Sequence, residues 1–249
     1  MSNQGMIFAA GLGTRLAPIT DTKPKALVEV GGRPLLDHAI RHYCRFGITD
    51  IVVNVHHFAD QIIDYIERNR ANWPADIAIS DEREQILDTA GGLAKALPLF
   101  GADRPIFVSN ADVMSNAPLE EMLMAHIRSG ADATLMTSSR HSTRNLLFDI
   151  EGRLTGWRNS QTGEERIVRD VAAPTSEAFN GYHIINHRLA QEFLPVRPQP
   201  IIPAYLGLAD RYVISRYHIG VDRYWFDVGT PAKLEQAEAF AQNHPEILR

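Results

Sequence analysis

Cysteine is almost missing from this 249-residue chain, where Cys44 stands alone. A single thiol forms no intrachain disulfide and supports no cysteine-based zinc site. Positive charge is also short: 25 Lys and Arg face 30 Asp and Glu, for a formal net charge of -5. A general nucleic-acid binder normally carries a basic surface, so the balance argues against that class while leaving room for a local cationic site. No apolar run approaches the ~20 residues that span a bilayer. Met1-Ser2-Asn3-Gln4-Gly5 lacks the charged and apolar regions of a signal peptide. The expectation is a cytoplasmic protein with no membrane or nucleic-acid partner. Internal repeats, low-complexity segments and hexapeptide arrays are absent too. The remainder is ordinary, 45% hydrophobic and 22% charged, which suits one large domain with a sizeable core.

Several catalytic and cofactor fingerprints are missing as well. The dinucleotide pattern G-x-G-x-x-G would need glycine where Leu16 stands, and G-x-x-x-x-G-K-[ST] occurs nowhere. With no matching acidic context either, an NAD-dependent oxidoreductase is disfavoured. No Ser/His/Asp arrangement is spelled out by a nucleophile motif. His38 and His42 are four apart on a predicted helix, the spacing of a metal pair, but no third ligand is in view. They read as ordinary helix histidines. His56-His57 reads as a loop pair, and Phe240, Trp157 and Tyr205 read as packing residues.

What is there is concentrated in Met6–Val30, MIFAAGLGTRLAPITDTKPKALVEV. Met6-Ile7-Phe8-Ala9-Ala10 reads as a buried strand. It breaks into Gly11-Leu12-Gly13-Thr14-Arg15 and, further on, Pro24-Lys25. Glycines let backbone N–H groups approach a phosphate closely, and Arg and Lys supply positive charge. A plain turn would explain Gly11 and Gly13 but not the two cations. The stretch is therefore predicted to be a nucleotide-phosphate loop, with Ala10, Gly11, Leu12, Gly13 and Thr14 against the nucleotide.

The rest of the first half alternates strand and helix. Ala26–Val30 reads as a short strand, Pro34–Phe46 as a helix with Leu35, Ile40, Tyr43 and Cys44 on its buried stripe, and Ile51–Val55 as a strand. A helix over Ala59–Asn69, strands at Ile77–Ser80 and Ile106–Ser109, a helix over Leu119–Arg128 and a strand at Ala133–Thr137 follow. This is the spacing of βαβ units, so the expected fold class is α/β, a doubly wound, mostly parallel sheet with helices on both faces. The loops after Ala10, Ser80 and Ser109 should then converge on one cleft at the carboxyl ends of the strands. From about Arg140 the texture changes. Leu146–Ile150 and Leu154–Trp157 read as a hairpin, Gln161–Arg169 as a polar loop, and Phe179–Ile185 as a central strand. A helix from His187 to Phe193, a Pro-rich loop over Pro195–Pro203, strands at Tyr212–Ile219 and Tyr224–Val228, and a helix over Pro231–Gln242 complete the chain. The expectation is one domain, with residues 1–138 as a nucleotide half and 139–249 as a β-rich, substrate-side half.

The order A-G-x-G-T-R-L-x-P-x-T-x-x-x-P-K-x-L, carried by Ala10, Gly11, Gly13, Thr14, Arg15, Leu16, Pro18, Thr20, Pro24, Lys25 and Leu27, resembles the signature of sugar-1-phosphate nucleotidyltransferases. The resemblance implies a Rossmann-like nucleotidyltransferase fold in which Arg15 contacts the leaving pyrophosphate and Lys25 neutralises charge at the reacting phosphates. Val108-Ser109-Asn110-Ala111-Asp112 places a carboxylate just past a strand. Tyr224-Trp225-Phe226-Asp227-Val228-Gly229-Thr230 resembles the family's W-x-D-x-G-T segment. The implied cofactor is Mg²⁺ on Asp112 and Asp227, because this hard cation usually takes one or two protein carboxylates plus phosphates and waters. The competing local readings are a strand-end cap for Asp112 and a helix N-cap for Asp227. Ala111 departs from the family, where glycine is common.

Thr89-Ala90-Gly91-Gly92-Leu93 resembles the family's turn beside the nucleobase, where a helix N-terminus with paired glycines can offer backbone groups to a base edge. Ala90, Gly91, Gly92, Asn110 and, more weakly, Glu82 join the expected nucleotide site. The expected sugar-phosphate contacts are Asn145, Glu165, Asn180 and Gly181. The Glu-Lys-Pro segment of thymidylyl- and guanylyltransferase relatives is absent. The implied reaction joins a nucleoside triphosphate and a sugar 1-phosphate into an NDP-sugar and pyrophosphate. Length and the Thr-Ala-Gly-Gly turn resemble compact N-acetylmuramate 1-phosphate uridylyltransferases, with mannose- or heptose-type guanylyltransferases and a non-catalytic nucleotide-sugar sensor as alternatives. No room is expected for a C-terminal β-helix. The assembly is expected to be a monomer or small homo-oligomer.

Overall fold

A computed structural model describes residues 3–220 and 222–248. The first strand, β1 (Asn3–Phe8), lies between β4 (Ile48–Val55) and β6 (Ile106–Asn110), and β5 (Asp76–Asp81) extends the row beyond β4. All four are parallel. On the other side of β6 comes β12 (Thr175–Ile185), antiparallel to β6 and to β8 (Ala133–Ser138), and then β13 (Ile214–His218), parallel to β8. β12 is thus the one reversed strand in a central sheet that is otherwise parallel. Its first residues, Thr175 to Glu177, splay away to pair with β9 (Arg144–Phe148), which pairs with β10 (Leu154–Asn159), which pairs with β11 (Glu165–Ile167).

Alternation along the strands decides what covers each face. Met6, Val52 and Val108 point to one side, where α3 (Asp88–Ala96), α5 (His187–Ala190) and α6 (Ile201–Leu208) bury Ala90, Leu93, Leu189 and Tyr205. Their neighbours Ile7, Val53 and Phe107 point to the other, against α1 (Leu35–Arg45), α2 (Ala59–Asn69) and α4 (Leu119–Ser129) through Leu36, Ile62 and Met122. Strands covered on both faces have no polar side to show, which is why their sequence reads as unbroken apolar runs. On α1 the buried stripe includes Leu35, Ile40 and Tyr43, with Cys44 only half-buried at its margin.

A third apolar cluster lies outside the sheet. It joins Leu16, Val28 and Val30 to Met114, Val228 and residues Ala237 and Ala241 of α7 (Pro231–Asn243). A short ribbon of β7 (Val113–Ser115) and β14 (Trp225–Asp227) borders it. Burying a leucine contributes about 1.5–3 kcal/mol, so Leu16, with no exposed surface, ties the glycine loop to α7 and the ribbon.

Four segments depart from the sequence reading. Lys25–Leu27 is a 3₁₀ turn, because Leu27 N–H donates to Pro24 and Val28 N–H to Lys25, leaving only β2 (Glu29–Val30) to pair with β3 (Arg33–Pro34). The polar stretch 161–169 contains β11, which adds to β10 despite its polarity because an edge strand faces water. The last strand pairs with β7, a strand that the sequence reading lacks. Helix α6 begins at Ile201, inside the segment read as a loop. Among the described residues no helix is long and apolar enough to cross a membrane.

One buried group sets an expected pH response. His183 on β12 lies edge-on to Tyr205 at 5.6 Å, and neither of its ring nitrogens has a hydrogen-bond partner among the described residues. Burial pulls its pKa down to about 3, against about 6.5 in an unfolded chain. Between those values the unfolded state holds a proton that the folded state does not, so His183 costs no acid stability above pH ~6.5 and progressively more as pH falls toward 3. His183→Leu should therefore shrink the drop in unfolding midpoint between pH 7.5 and pH 5. An undiminished drop in the variant would refute the assignment.

Candidate active site

The cleft of about 560 Å³ at the carboxyl ends of β1, β5 and β6 is lined by Ala10 to Arg15, Lys25, Glu82, Asp88, Thr89, Asn110 and Asp112. The loops after β1, β5 and β6 thus share one cavity. Among the described residues, the backbone N–H groups of Gly11, Leu12, Gly13, Thr14 and Arg15 have no hydrogen-bond acceptor. Successive free amides in a turn form an anion-binding concavity. Gly13 gives the turn its shape: its φ of +70° is in the left-handed region, and a Cβ there would lie 3.1 Å from the Lys25 Cβ. Thr20 Oγ1 donates to the Gly13 carbonyl at 2.8 Å, fixing that corner. Arg15 forms no salt bridge among the described residues, and its Nη2 would lie 3.1 Å from a Cβ added to Gly229.

The backbones of the two aspartates come together across the β7–β14 ribbon, where Asp227 pairs with Val113 and Val228 N–H donates to the Asp112 carbonyl at 2.9 Å. Each carboxylate is ion-paired to a lysine: Asp112 to Lys25, and Asp227 to Lys233 at 2.7 Å. Thr230, rather than Asp227, caps α7, accepting from Lys233 N–H at 3.4 Å. Gly229 leaves space here, since a Cβ would sit 2.9 Å from Asp227 Oδ1. Ala111 is buried and its N–H donates to the Phe8 carbonyl at 3.0 Å. Among the described residues no cluster of three or more His, Cys, Asp or Glu is poised to hold a metal, so any ion here would rely on this pair.

At the other end of the cleft Glu82 is buried. Asn54 donates to it at 2.7 Å and Leu87 N–H at 3.3 Å. Burial raises its carboxyl above the ordinary range against those two hydrogen bonds. Asn54 also accepts from Ala9 N–H at 2.7 Å, tying the glycine loop to this carboxylate. The start of α3 differs from expectation. Ala90 and Gly91 N–H groups donate to the Gln199 carbonyl at 2.8 and 3.2 Å, so they are already engaged. Ala90, Gly91 and Gly92 do not line the cleft. Their smallness serves packing: a Cβ on Gly91 would lie 2.1 Å from the Arg197 carbonyl oxygen, and one on Gly92 2.7 Å from Glu82 Oε1. Asp88, at φ +57°, and Thr89 face the cavity in their place.

The sugar-side candidates split into two groups. Asn180 and Gly181 lie in an irregularity of β12 between Phe179 and His183, with Gly181 at φ +81° and its Cβ position 3.3 Å from Asn110 Nδ2. Such a bulge re-aims a side chain. Asn180 Oδ1 accepts from Ser138 and Arg140, both at 3.1 Å, while its buried Nδ2 has no partner among the described residues. Asn145 and Glu165 are elsewhere, on β9 and β11, flanking Arg158 of β10 in one cross-strand row. Glu165 is ion-paired to Arg158 on an exposed edge strand.

Sequence reading missed Asn54, Arg140 and Lys233. Asn54 ends an apolar strand, where a buried amide must find partners, and that was the available signal. Lys233 sits one turn into a helix, and nothing local distinguishes it from a surface lysine. His38 and His42 form no metal pair: His38 Nε2 bonds the Val30 carbonyl at 2.9 Å, and burial lowers His42 to about 3.

The match to known proteins agrees with this geometry. A family model described as nucleotidyl transferase matches residues 4–146. The chain belongs to that family, within its sugar-1-phosphate nucleotidyltransferase class. It is 34% identical over 240 residues to an N-acetylmuramate alpha-1-phosphate uridylyltransferase of Caulobacter vibrioides, covering 94% of this chain and 95% of the relative. A mannose-1-phosphate guanyltransferase of Schizosaccharomyces pombe is 30% identical over 92% of this chain, which spans 61% of that longer protein. A solved UDP-glucose pyrophosphorylase from Acinetobacter baumanii superposes with a TM-score of 0.79 at 18% identity, over 99% of this chain and 96% of that one. At that identity the likeness speaks for the fold alone.

Proposed function

We propose that this enzyme transfers uridylate from UTP to an amino-sugar-type 1-phosphate, giving a UDP-sugar and pyrophosphate, with Mg²⁺. The observation that supports the transfer is a cleft that holds a glycine loop with free amides, two loop cations and the lysine-paired Asp112, with Asp227 beside the lining residue Gly229. The nucleotide belongs to residues 1–138 and the sugar phosphate to 139–249. The uridylyl preference leans on the Caulobacter relative, which the chain matches along nearly its whole length.

A phosphate monoester has a second pKa of about 6, so the sugar phosphate is largely dianionic at neutral pH. Its oxygen attacks the α-phosphorus, the bond to the β-phosphate bridging oxygen breaks, and pyrophosphate leaves. No general base is needed. The obstacle is repulsion between anions, which positioning and fixed positive charge reduce. The loop amides cradle the triphosphate, Arg15 stabilises the departing pyrophosphate, and Lys25 neutralises charge at the reacting phosphates. Asp112 and Asp227 suit Mg²⁺, being two hard oxygen donors that already stand beside cations. When bound, the ion supplies further charge neutralisation to the reacting phosphates.

Assaying ATP, CTP, GTP and UTP against a panel of sugar 1-phosphates tests the specificity. UTP with an amino-sugar 1-phosphate should give the highest kcat/KM. A preference for GTP with mannose 1-phosphate would overturn the uridylyl assignment and favour the activity named for the Schizosaccharomyces relative.

A further inference from the structure

We propose that Arg140 binds the phosphate of the sugar 1-phosphate. The inference rests on the transfer reaction above. It names a residue that neither the glycine loop nor the carboxylate pair accounts for. Arg140 follows the end of β8, and its guanidinium is held on three sides. Nη2 donates to the Phe179 carbonyl at 2.8 Å, Nε donates to Asn180 Oδ1 at 3.1 Å, and the guanidinium carbon stands 4.2 Å from the centre of the Trp225 ring. Trp225 is fixed in turn, its Nε1 donating to the Asn180 carbonyl at 2.8 Å.

This cage holds the group against the β7–β14 ribbon, which carries Asp227. Trp225 and Asp227 are two apart on β14 and so project from the same face of the ribbon. Arg140, stacked on Trp225, stands on that face within the electrostatic reach of Asp227. Lys25 and Arg15 approach from the glycine loop, whereas Arg140 approaches from the half assigned to the sugar.

Arg140 also lacks what a structural arginine would have. It is half-buried, yet forms no salt bridge among the described residues. Burial lowers its pKa, and the nearby Asp227 charge opposes that only in part. By contrast Arg158 is paired to Glu165, Arg188 to Asp132 and Arg216 to Glu177. A guanidinium carries five N–H donors. Nη1 reaches only the His141 carbonyl, at 3.5 Å. An N–H of Nη2 and most of the capacity of Nη1 remain for a ligand. A partly desolvated cation with spare, coplanar donors matches a phosphate, which accepts two parallel N–H bonds. The stacked, preorganised fork would lose little freedom on binding.

Steady-state kinetics of Arg140→Ala and Arg140→Lys, with each substrate varied at saturating levels of the other, test the assignment. Arg140→Ala should raise KM for the sugar 1-phosphate by about 10- to 100-fold, the loss of a charged hydrogen-bonding partner, while KM for the nucleotide stays within about twofold. Arg140→Lys should fall between, and added guanidinium ion should partly restore Arg140→Ala, which a purely structural role does not allow. Equal rises in both KM values with a lowered unfolding midpoint, or no change in either, would overturn the proposal. A second measurement is independent of turnover: stabilisation of the nucleotide-saturated protein by inorganic phosphate should be present in wild type and lost in Arg140→Ala. If wild type shows that stabilisation but makes no NDP-sugar, the transfer reading fails and the phosphate site stands. If wild type makes NDP-sugar and both readouts ignore Arg140, the site fails alone.

Discussion

Asp112→Ala and Asp227→Ala should each lower Mg²⁺-dependent turnover by roughly 10³-fold or more, since a bound metal supplies several kcal/mol of charge stabilisation and each 1.36 kcal/mol is tenfold in rate. Neither change should unfold the protein. The two side chains are 23% and 25% exposed, so truncation opens no apolar cavity, and both carboxylates hang from a ribbon whose backbone hydrogen bonds remain. Lys233, 42% exposed, would lose a partner at little cost, and Lys25, 12% exposed, at a larger one that leaves the fold in place. The double variant should be hardly worse than either single one, because the two act as a unit on one ion. Chelating the metal from wild type should give the same residual rate. Turnover within tenfold of wild type in either variant would rule out the metal assignment.

Lys25→Ala should lower kcat by about 10²–10³-fold, the effect of removing one electrostatic contact from a preorganised site. Its side chain is only 12% exposed and its ammonium is anchored on Asp112, so it cannot swing away from the reacting phosphates to any great extent. The 3₁₀ turn that carries it is held by backbone hydrogen bonds that the substitution leaves in place. The free amides of Gly11 to Arg15 remain as well. Nucleotide KM should accordingly move far less than kcat, the mark of an interaction strengthened in the transition state. A change in KM alone would assign Lys25 to ground-state binding.

Much of the fold was legible because the parallel strands are covered on both faces and must be apolar throughout. Met6–Phe8, Ile51–Val55 and Ile106–Val108 could hardly be anything else, and the helices between them carry one clear buried stripe each. The position of β12, reversed and inserted between β6 and β8, was not legible. Its sequence says strand but not neighbour, since pairing partners are chosen across long separations. β11 was hidden by polarity, an edge strand needing no buried face. Strand β14 was read within Tyr224–Val228, but its partner β7 escaped because three residues carry no period.

The candidate site divides the same way. The glycine loop and its two cations sit in one continuous segment whose residue types have few other uses together, so local reading sufficed. Asp112 and Asp227 lie far apart in sequence and were joined only through resemblance; the ribbon register brings their backbones side by side. Asn54, Lys233 and Arg140 are single polar residues in unremarkable local settings. Their meaning comes from partners that only the folded chain supplies: Glu82, Asp227 and the Trp225 ring. The Gln199 carbonyl that takes the Ala90 and Gly91 N–H groups falls in the same gap, because nothing near them in sequence announces it.

The most direct test is the stoichiometry of the reaction itself. Wild type would be incubated with UTP, Mg²⁺ and an amino-sugar 1-phosphate, and pyrophosphate and UDP-sugar measured together. A nucleotidyl transfer through this cleft gives the two products one for one, only when the sugar phosphate is present, and not in Asp112→Ala or Asp227→Ala. Pyrophosphate release that does not need the sugar 1-phosphate, or that survives in both aspartate variants, would contradict it.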